Sequence, residues 1–313
     1  MTRPTSGRLA GFWTRRAAAG LLAGAAALLA GCGSGSVVSD LRAERFIVVG
    51  DGFSDVGQNG HRYTVNDGSL NWIQQLAAYY DLTVKPATEG GWGYAQGHAR
   101  VALPDTRSGT DAPSVTAQID ALLARTTLDA QGDVVFINGG TSDIVAAVEA
   151  HGDTPAAEEA VNTAAKALAD QVKRVVDAGA KHVVVTGVPN ICHTPWARAL
   201  GMEADSEKCR PVRAFNDRLK VEIVNMGATT LYFDAELFYN LIYNKPSNYP
   251  VDNIEDAVCT TPDASTCTPS TVKQTDYNRY LFADDLHYTP AMQRLFVDLD
   301  YVENAYDRLR NRW

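Results

Sequence analysis

The chain has 313 residues, 45% of them apolar and 21% charged, with five cysteines and a formal net charge of −9 at pH 7. That apolar fraction excludes intrinsic disorder, and the length supports one large or two small domains with a substantial core. The acidic balance argues against binding nucleic acid through a basic face, and no apolar run reaches the roughly 18–20 residues of a spanning helix.

The first residues differ from the rest. Arg3, Arg8, Arg15 and Arg16 precede a 14-residue run of small apolar residues, Ala17 to Ala30. A cationic stretch before a short apolar one is the pattern of an export signal. It ends in Leu29-Ala30-Gly31-Cys32, which resembles the lipobox of bacterial lipoproteins. The resemblance implies a signal peptide over residues 1–31, acylation of Cys32 and an exported, envelope location. Gly33 in place of an aspartate leans toward the outer membrane. Several acyl chains on one cysteine anchor stably, because each buried CH2 contributes about 0.8 kcal/mol. Residues 32–43 then read as the lipidated cysteine and a flexible tether. Beyond the signal the chain carries 24 basic and 37 acidic residues, a net charge of −13. Four further cysteines remain, Cys192, Cys209, Cys259 and Cys267, and an even count in an exported protein suggests two disulfides. Three pairings exist; Cys192–Cys209 with Cys259–Cys267 closes short loops and is expected. The spacings lack the paired C-x2-C pattern of a zinc site, so no metal is expected.

Arg45 to Val49 is a strand candidate, followed by Gly50-Asp51-Gly52. Asn71 to Tyr80 reads as an amphipathic helix. Ser114 to Arg125 is a second, with Val115, Ile119, Leu122 and Leu123 on one face. Asp133 to Asn138 is a second strand, closed by Gly139-Gly140. Pro155 to Ala178 is a long alanine-rich helix, His182 to Thr186 a strand, Val212 to Met226 a helix and Thr229 to Phe233 a strand. Pro290 to Arg310 is a closing helix with proline at its start. Such alternation, with continuously apolar strands, predicts a parallel sheet covered on both faces. One domain spans residues 44–313, with a long loop insert, Tyr243 to Asn278, pinned by Cys259 and Cys267.

Ligands of open parallel sheets sit beyond the carboxyl ends of the strands. The first such loop is Gly50-Asp51-Gly52-Phe53-Ser54-Asp55-Val56-Gly57. The others are Tyr94-Ala95-Gln96-Gly97-His98-Ala99, Gly139-Gly140-Thr141-Ser142-Asp143 and Asp284-Asp285-Leu286-His287 with its trailing Thr289-Pro290-Ala291. Their order and spacing resemble the GDSL, or SGNH, family of ester hydrolases and lipases over essentially the whole chain beyond the signal. With the alternation, the resemblance implies a flavodoxin-like three-layer α/β/α sandwich of about five parallel strands. It also implies carboxylic-ester hydrolysis without metal or organic cofactor. His287 falls at the family's base, Asp284 at the residue that orients it, Gly97 at a second-block oxyanion glycine and Ser142 at the oxyanion asparagine.

The nucleophile position is Gly52, which has no side chain and forms no acyl-enzyme. Loss of a triad serine costs about 10⁶ in turnover, and loss of one oxyanion donor about 10²–10³. Two classes of function stay open. One is an ester hydrolase with weakened, altered or lost activity, using Ser54 as a substitute nucleophile or His287 to activate water. The other is a non-catalytic envelope protein that binds an acylated or glycan ligand. Gly52, His98 (where the resemblance implies a second glycine after Gly97) and Ser142 all depart from the family pattern, which favours divergence over a single artificial replacement. His61, His151, His182 and His193 fit no metal spacing. Trp92, Tyr94, Trp196 and the Tyr239, Tyr243, Tyr249 group either line an acyl pocket or belong to the core, the commoner fate of aromatics. The expected partners are a small acyl ester or acylated glycan and, through the lipid, a membrane.

Overall fold

The computed structural model describes residues 41–202 and 207–313. The signal, Cys32 and most of the tether lie outside the described residues. Four strands form the central sheet: β1 (Arg45–Val49), β2 (Asp133–Ile137), β3 (His182–Thr186) and β4 (Thr230–Phe233). Every neighbouring pair is parallel, in the order β1-β2-β3-β4. A fifth position is occupied by one residue. Gly93 bridges Val48 in parallel, with Val48 N–H donating to Trp92 O at 2.9 Å and Tyr94 N–H donating to Val48 O at 2.7 Å. This rung lies on the free side of β1, which gives the flavodoxin-like arrangement. On its other side Gly93 N–H donates to Lys85 O and Gly93 O accepts from Ala87 N–H, which ties the rung to the segment before it.

Successive side chains of a strand point to opposite faces, and here both faces are apolar. Ile47, Val49, Val135, Ile137, Val183 and Val185 meet α2 (Val115–Arg125), α3 (Thr141–His151), α4 (Pro155–Asp177) and α6 (Arg210–Ile223). Phe46, Val48, Val134, Phe136 and Val184 meet α1 (Trp72–Ala78), α7 (Ala235–Asn244), α8 (Pro290–Leu295) and α9 (Ala305–Arg310). A parallel sheet needs such double cover, because crossover helices occupy both sides. Capping marks the helix starts: the Ser114 side chain accepts from Ala117 N–H, and Asn71 forms a capping box with Gln74.

Three features depart from the sequence expectation. The closing helix is two short helices, because the Asp298 and Asn304 side chains accept locally, from Asp300 and Asp307 N–H, and so compete with helix. Asn304 caps α9 by accepting from Asp307 N–H, and Glu303 adopts φ +63°. Helices α3, α5 (Pro195–Ala199) and α7 were not anticipated; α3 opens directly from the loop after β2. The insert at 243–278 is not all loop. It supplies β5 (Asn253–Ala257), which pairs in parallel with β6 (Tyr280–Phe282) just before the Asp284–His287 turn.

Candidate active site

The loop after β1 is wrapped around its own carboxylates. Asp51 Oδ1 accepts from Phe53 N–H at 3.1 Å and from Asn138 Nδ2 at 2.6 Å, which ties this loop to the end of β2. Asp55 Oδ1 accepts from Gly57 and Gln58 N–H, while its Oδ2 accepts from Gly97 N–H at 2.9 Å. Burial pushes the Asp55 carboxyl above its ordinary range against these backbone donors.

Asp284 and His287 come together as expected. Asp284 is 2% exposed. Its Oδ1 accepts from Leu286 and His287 N–H, and its Oδ2 accepts from Ala264 N–H at 2.7 Å. His287 Nδ1 lies 3.0 and 2.9 Å from the two oxygens. Burial alone lowers the affinity of the imidazole for a proton. The carboxylates of Asp284, Asp263 and Asp285 outweigh it and raise the ring to about 9. His287 also holds Asp284 below the usual carboxylate range, against burial. At neutral pH the ring is therefore an imidazolium, a donor at both nitrogens.

The other ring nitrogen faces position 52. A Cβ placed on Gly52 would stand 2.8 Å from His287 Nε2 and 3.2 Å from Tyr63 Cγ. The imidazole therefore looks onto bare backbone, with no hydroxyl between them. Ser54 does not fill the gap: it is 1% exposed and absent from the cleft lining. The structure thus gives no support to Ser54 as a substitute nucleophile. The cleft is lined by Gly52, Tyr63, His98, Ser142 and His287 among others, with a cavity volume of about 40 Å³. That is room for two or three waters.

The oxyanion candidates divide. Ser142 stands in the first turn of α3 and lines the cleft. Gly97 N–H is already given to Asp55, which argues against Gly97 as an oxyanion donor. His98 N–H has no hydrogen-bond partner among the described residues. His98 adopts φ +65°, a left-handed conformation uncommon for a residue with a side chain.

The expected aromatic lining is elsewhere. Trp92 lies between the guanidinium groups of Arg45 and Arg125, and Tyr94 is buried. Trp196 is 5% exposed, Tyr239 stacks on Tyr288, Tyr243 on His193 and Tyr249 on Tyr301. None of them lines the cleft; its aromatics are Phe53, Tyr63 and Tyr288. Both expected disulfides form, Cys192–Cys209 and Cys259–Cys267. Sequence reasoning did not find Asp263, whose carboxylate meets His98 Nε2 at 2.7 Å across 165 positions. It also missed Tyr63, whose ring lies 5.1 Å from each of the His98 and His287 rings. The only signal was Asp263 lying between two paired cysteines.

Two GDSL esterase/lipases of Arabidopsis thaliana resemble parts of the chain. One is 30% identical over 121 residues, 38% of this chain and 35% of that protein. The other is 28% identical over 153 residues, 44% of this chain and 40% of that protein. The chain thus spans less than half the length of these curated relatives. Among solved structures, a phospholipase A1 from Streptomyces albidoflavus is 15% identical with TM-score 0.47, covering 87% of this chain and 100% of that one. An extracellular lipase from Streptomyces rimosus is also 15% identical, with TM-score 0.44 and the same coverage. The family model for GDSL-like lipase/acylhydrolase matches residues 46–299, from the first strand to just past the helix that follows His287. With the sheet, its strand-end loops and the Asp284–His287 pair inside that match, the chain belongs to the GDSL-like lipase/acylhydrolase family.

Proposed function

We propose that this protein is a lipid-anchored envelope member of the family whose cleft receives a small acyl ester or an acylated glycan but forms no acyl-enzyme. Ester hydrolysis is lost, or reduced to what the cleft and the dyad supply without a nucleophile. One observation carries this reading: His287 Nε2 faces the backbone of Gly52, where the family resemblance expects the serine. Oxyanion donors and binding alone leave roughly 10³–10⁴ over water after such a loss. A second reading, in which His287 activates a water in the cavity beside Gly52, is favoured by the 40 Å³ of space there. The raised affinity of His287 for its proton weighs against it at neutral pH, where the ring donates rather than accepts.

The test compares hydrolysis of p-nitrophenyl acetate and butyrate by the wild type, Gly52→Ser and His287→Ala. The wild type should show no burst and no acyl adduct by mass spectrometry, and Gly52→Ser should far exceed it. A wild type that turns over at the 1–10³ s⁻¹ typical of enzymes and loses this on His287→Ala overturns the proposal. The anchor, with a signal over 1–31, a tether over 32–43 and a domain over 44–313, is supported by the Arg-rich and apolar N-terminus and by the Leu29–Cys32 motif. Cys32→Ala expressed in a Gram-negative host should move the protein from the membrane fraction to the soluble one. Retention in the membrane by that variant overturns the lipid anchor.

A further inference from the structure

The loop closed by Cys259 and Cys267, eight positions apart, reaches the cleft twice. Its Ala264 N–H donates to Asp284 Oδ2, and its Asp263 carboxylate meets His98 Nε2. The loop is itself held in place. Asn66 Nδ2 donates to Ala264 O at 3.1 Å and Cys267 O at 3.1 Å, and Asn66 N–H donates to Cys267 O at 2.8 Å. Ser265 N–H donates to Asp263 Oδ1 at 2.8 Å, which aims the other carboxylate oxygen at His98. Val65, Val258, Ala264 and Ala283 pack with the two cysteines in a small core of their own. His98, in turn, occupies a left-handed turn that an ordinary residue resists.

We infer that Asp263 is a positioning residue of the cleft: by holding the His98 side chain it fixes the left-handed turn that lines the cleft, and the Cys259–Cys267 bridge keeps it in reach. The inference builds on the proposed ester cleft but acts on geometry that exists without turnover. A glycine at 98 would adopt the same turn without strain and would need no such hold. Asp263 and the bridge therefore stand in for the glycine that the family resemblance expects at this turn.

This yields a double-variant test. In the Gly52→Ser background, assayed at about pH 9.5 where His287 is largely unprotonated with or without the Asp263 charge, Asp263→Asn should lower kcat on p-nitrophenyl butyrate about 10-fold to 100-fold with KM little changed, the size expected of a misplaced reacting group. Asp263→Glu should recover part of the loss. Adding His98→Gly should abolish the effect of Asp263→Asn, because the turn no longer depends on it. A Cys259→Ala/Cys267→Ala pair should lose at least as much as Asp263→Asn, since the same loop also holds Asp284 through Ala264 N–H. In the wild type, Asp263→Asn should shift the His98 backbone amide and imaging of that amide by NMR needs no activity; if Gly52→Ser proves inactive, the proposed function fails while this arm still tests the inference. Equal loss from Asp263→Asn with histidine or glycine at 98, or an unmoved His98 amide, overturns it. Circular dichroism melts identify any variant that fails to fold, and the amide shift in Asp263→Asn then decides the question.

Discussion

Placing a serine at Gly52 tests the site most directly. The backbone there lies outside the left-handed region, so a side chain brings no torsional strain. Space is the constraint. At 2.8 Å from the new Cβ, His287 Nε2 is nearer than real Cβ contacts come, and the imidazole must retreat by at least a few tenths of an ångström. It is the far end of a side chain held at Nδ1 by Asp284, so it can pivot while keeping that bond. A complete triad serine is worth about 10⁶ in turnover. Wild type and variant both carry Ser142, so any deficit it brings as an oxyanion donor lowers both rates and cancels in their ratio. The expected gain of Gly52→Ser over the wild type is thus up to about 10⁶. Stopped-flow release of p-nitrophenol reads the rate and the burst, and a fluorophosphonate mass adduct reports the activated hydroxyl. A folded Gly52→Ser protein that neither outpaces the wild type nor takes the label would refute the placement of the nucleophile at position 52.

Other expectations follow from the same geometry. Ser54→Ala should leave any hydrolysis by the wild type or Gly52→Ser within about twofold, since its side chain does not reach the cleft; a larger loss in kcat would revive it as a nucleophile. The kcat/KM of Gly52→Ser should climb about tenfold per pH unit and level off near 9, where His287 loses its proton; a plateau already reached at pH 6 contradicts the carboxylate cluster around that ring. For stability the sign is set by a folded value of about 9 against an ordinary value near 6.5. The contribution of the charged ring is complete below about pH 6.5 and disappears as pH rises through 9, on the order of 3 kcal/mol. Urea melts of the wild type at pH 6 and 9.5 should show the drop, and His287→Ala should show less of it. Gly140→Ala should cost about 2–5 kcal/mol, because φ is +116° and the new Cβ would collide with the buried Phe215 ring. A melting temperature within a degree or two of the wild type would disprove that crowding.

The elements that the sequence made legible are those whose signal is local. Strands β1, β2 and β3 announce themselves as short apolar runs ended by glycine or a polar residue, and β3 spans His182 to Thr186 as read. The break between α8 and α9 escaped detection because neither glycine nor proline marks it; Asp298 accepts from Asp300 N–H in the connecting turn, and Asn304 begins the next helix by accepting from Asp307 N–H. At the site, Asp284 and His287 lie three residues apart and so appear together in the sequence, with the pairing of neighbouring cysteines legible for the same reason.

What the sequence determined by itself was the alternation that makes a doubly covered parallel sheet, the Asp284–His287 pair and a glycine, without a side chain, at position 52. Each depends on residues close in the chain or on one residue's chemistry. The tertiary structure decided which groups face one another across the cleft. Ser54 is turned into the interior, Gly97 N–H is taken by Asp55, and the aromatics picked out from the sequence pack away from the cleft. Asp263 reaches His98 from 165 positions away. Such contacts arise only when separate strand-end loops are brought to one edge of the sheet, and no local periodicity encodes them.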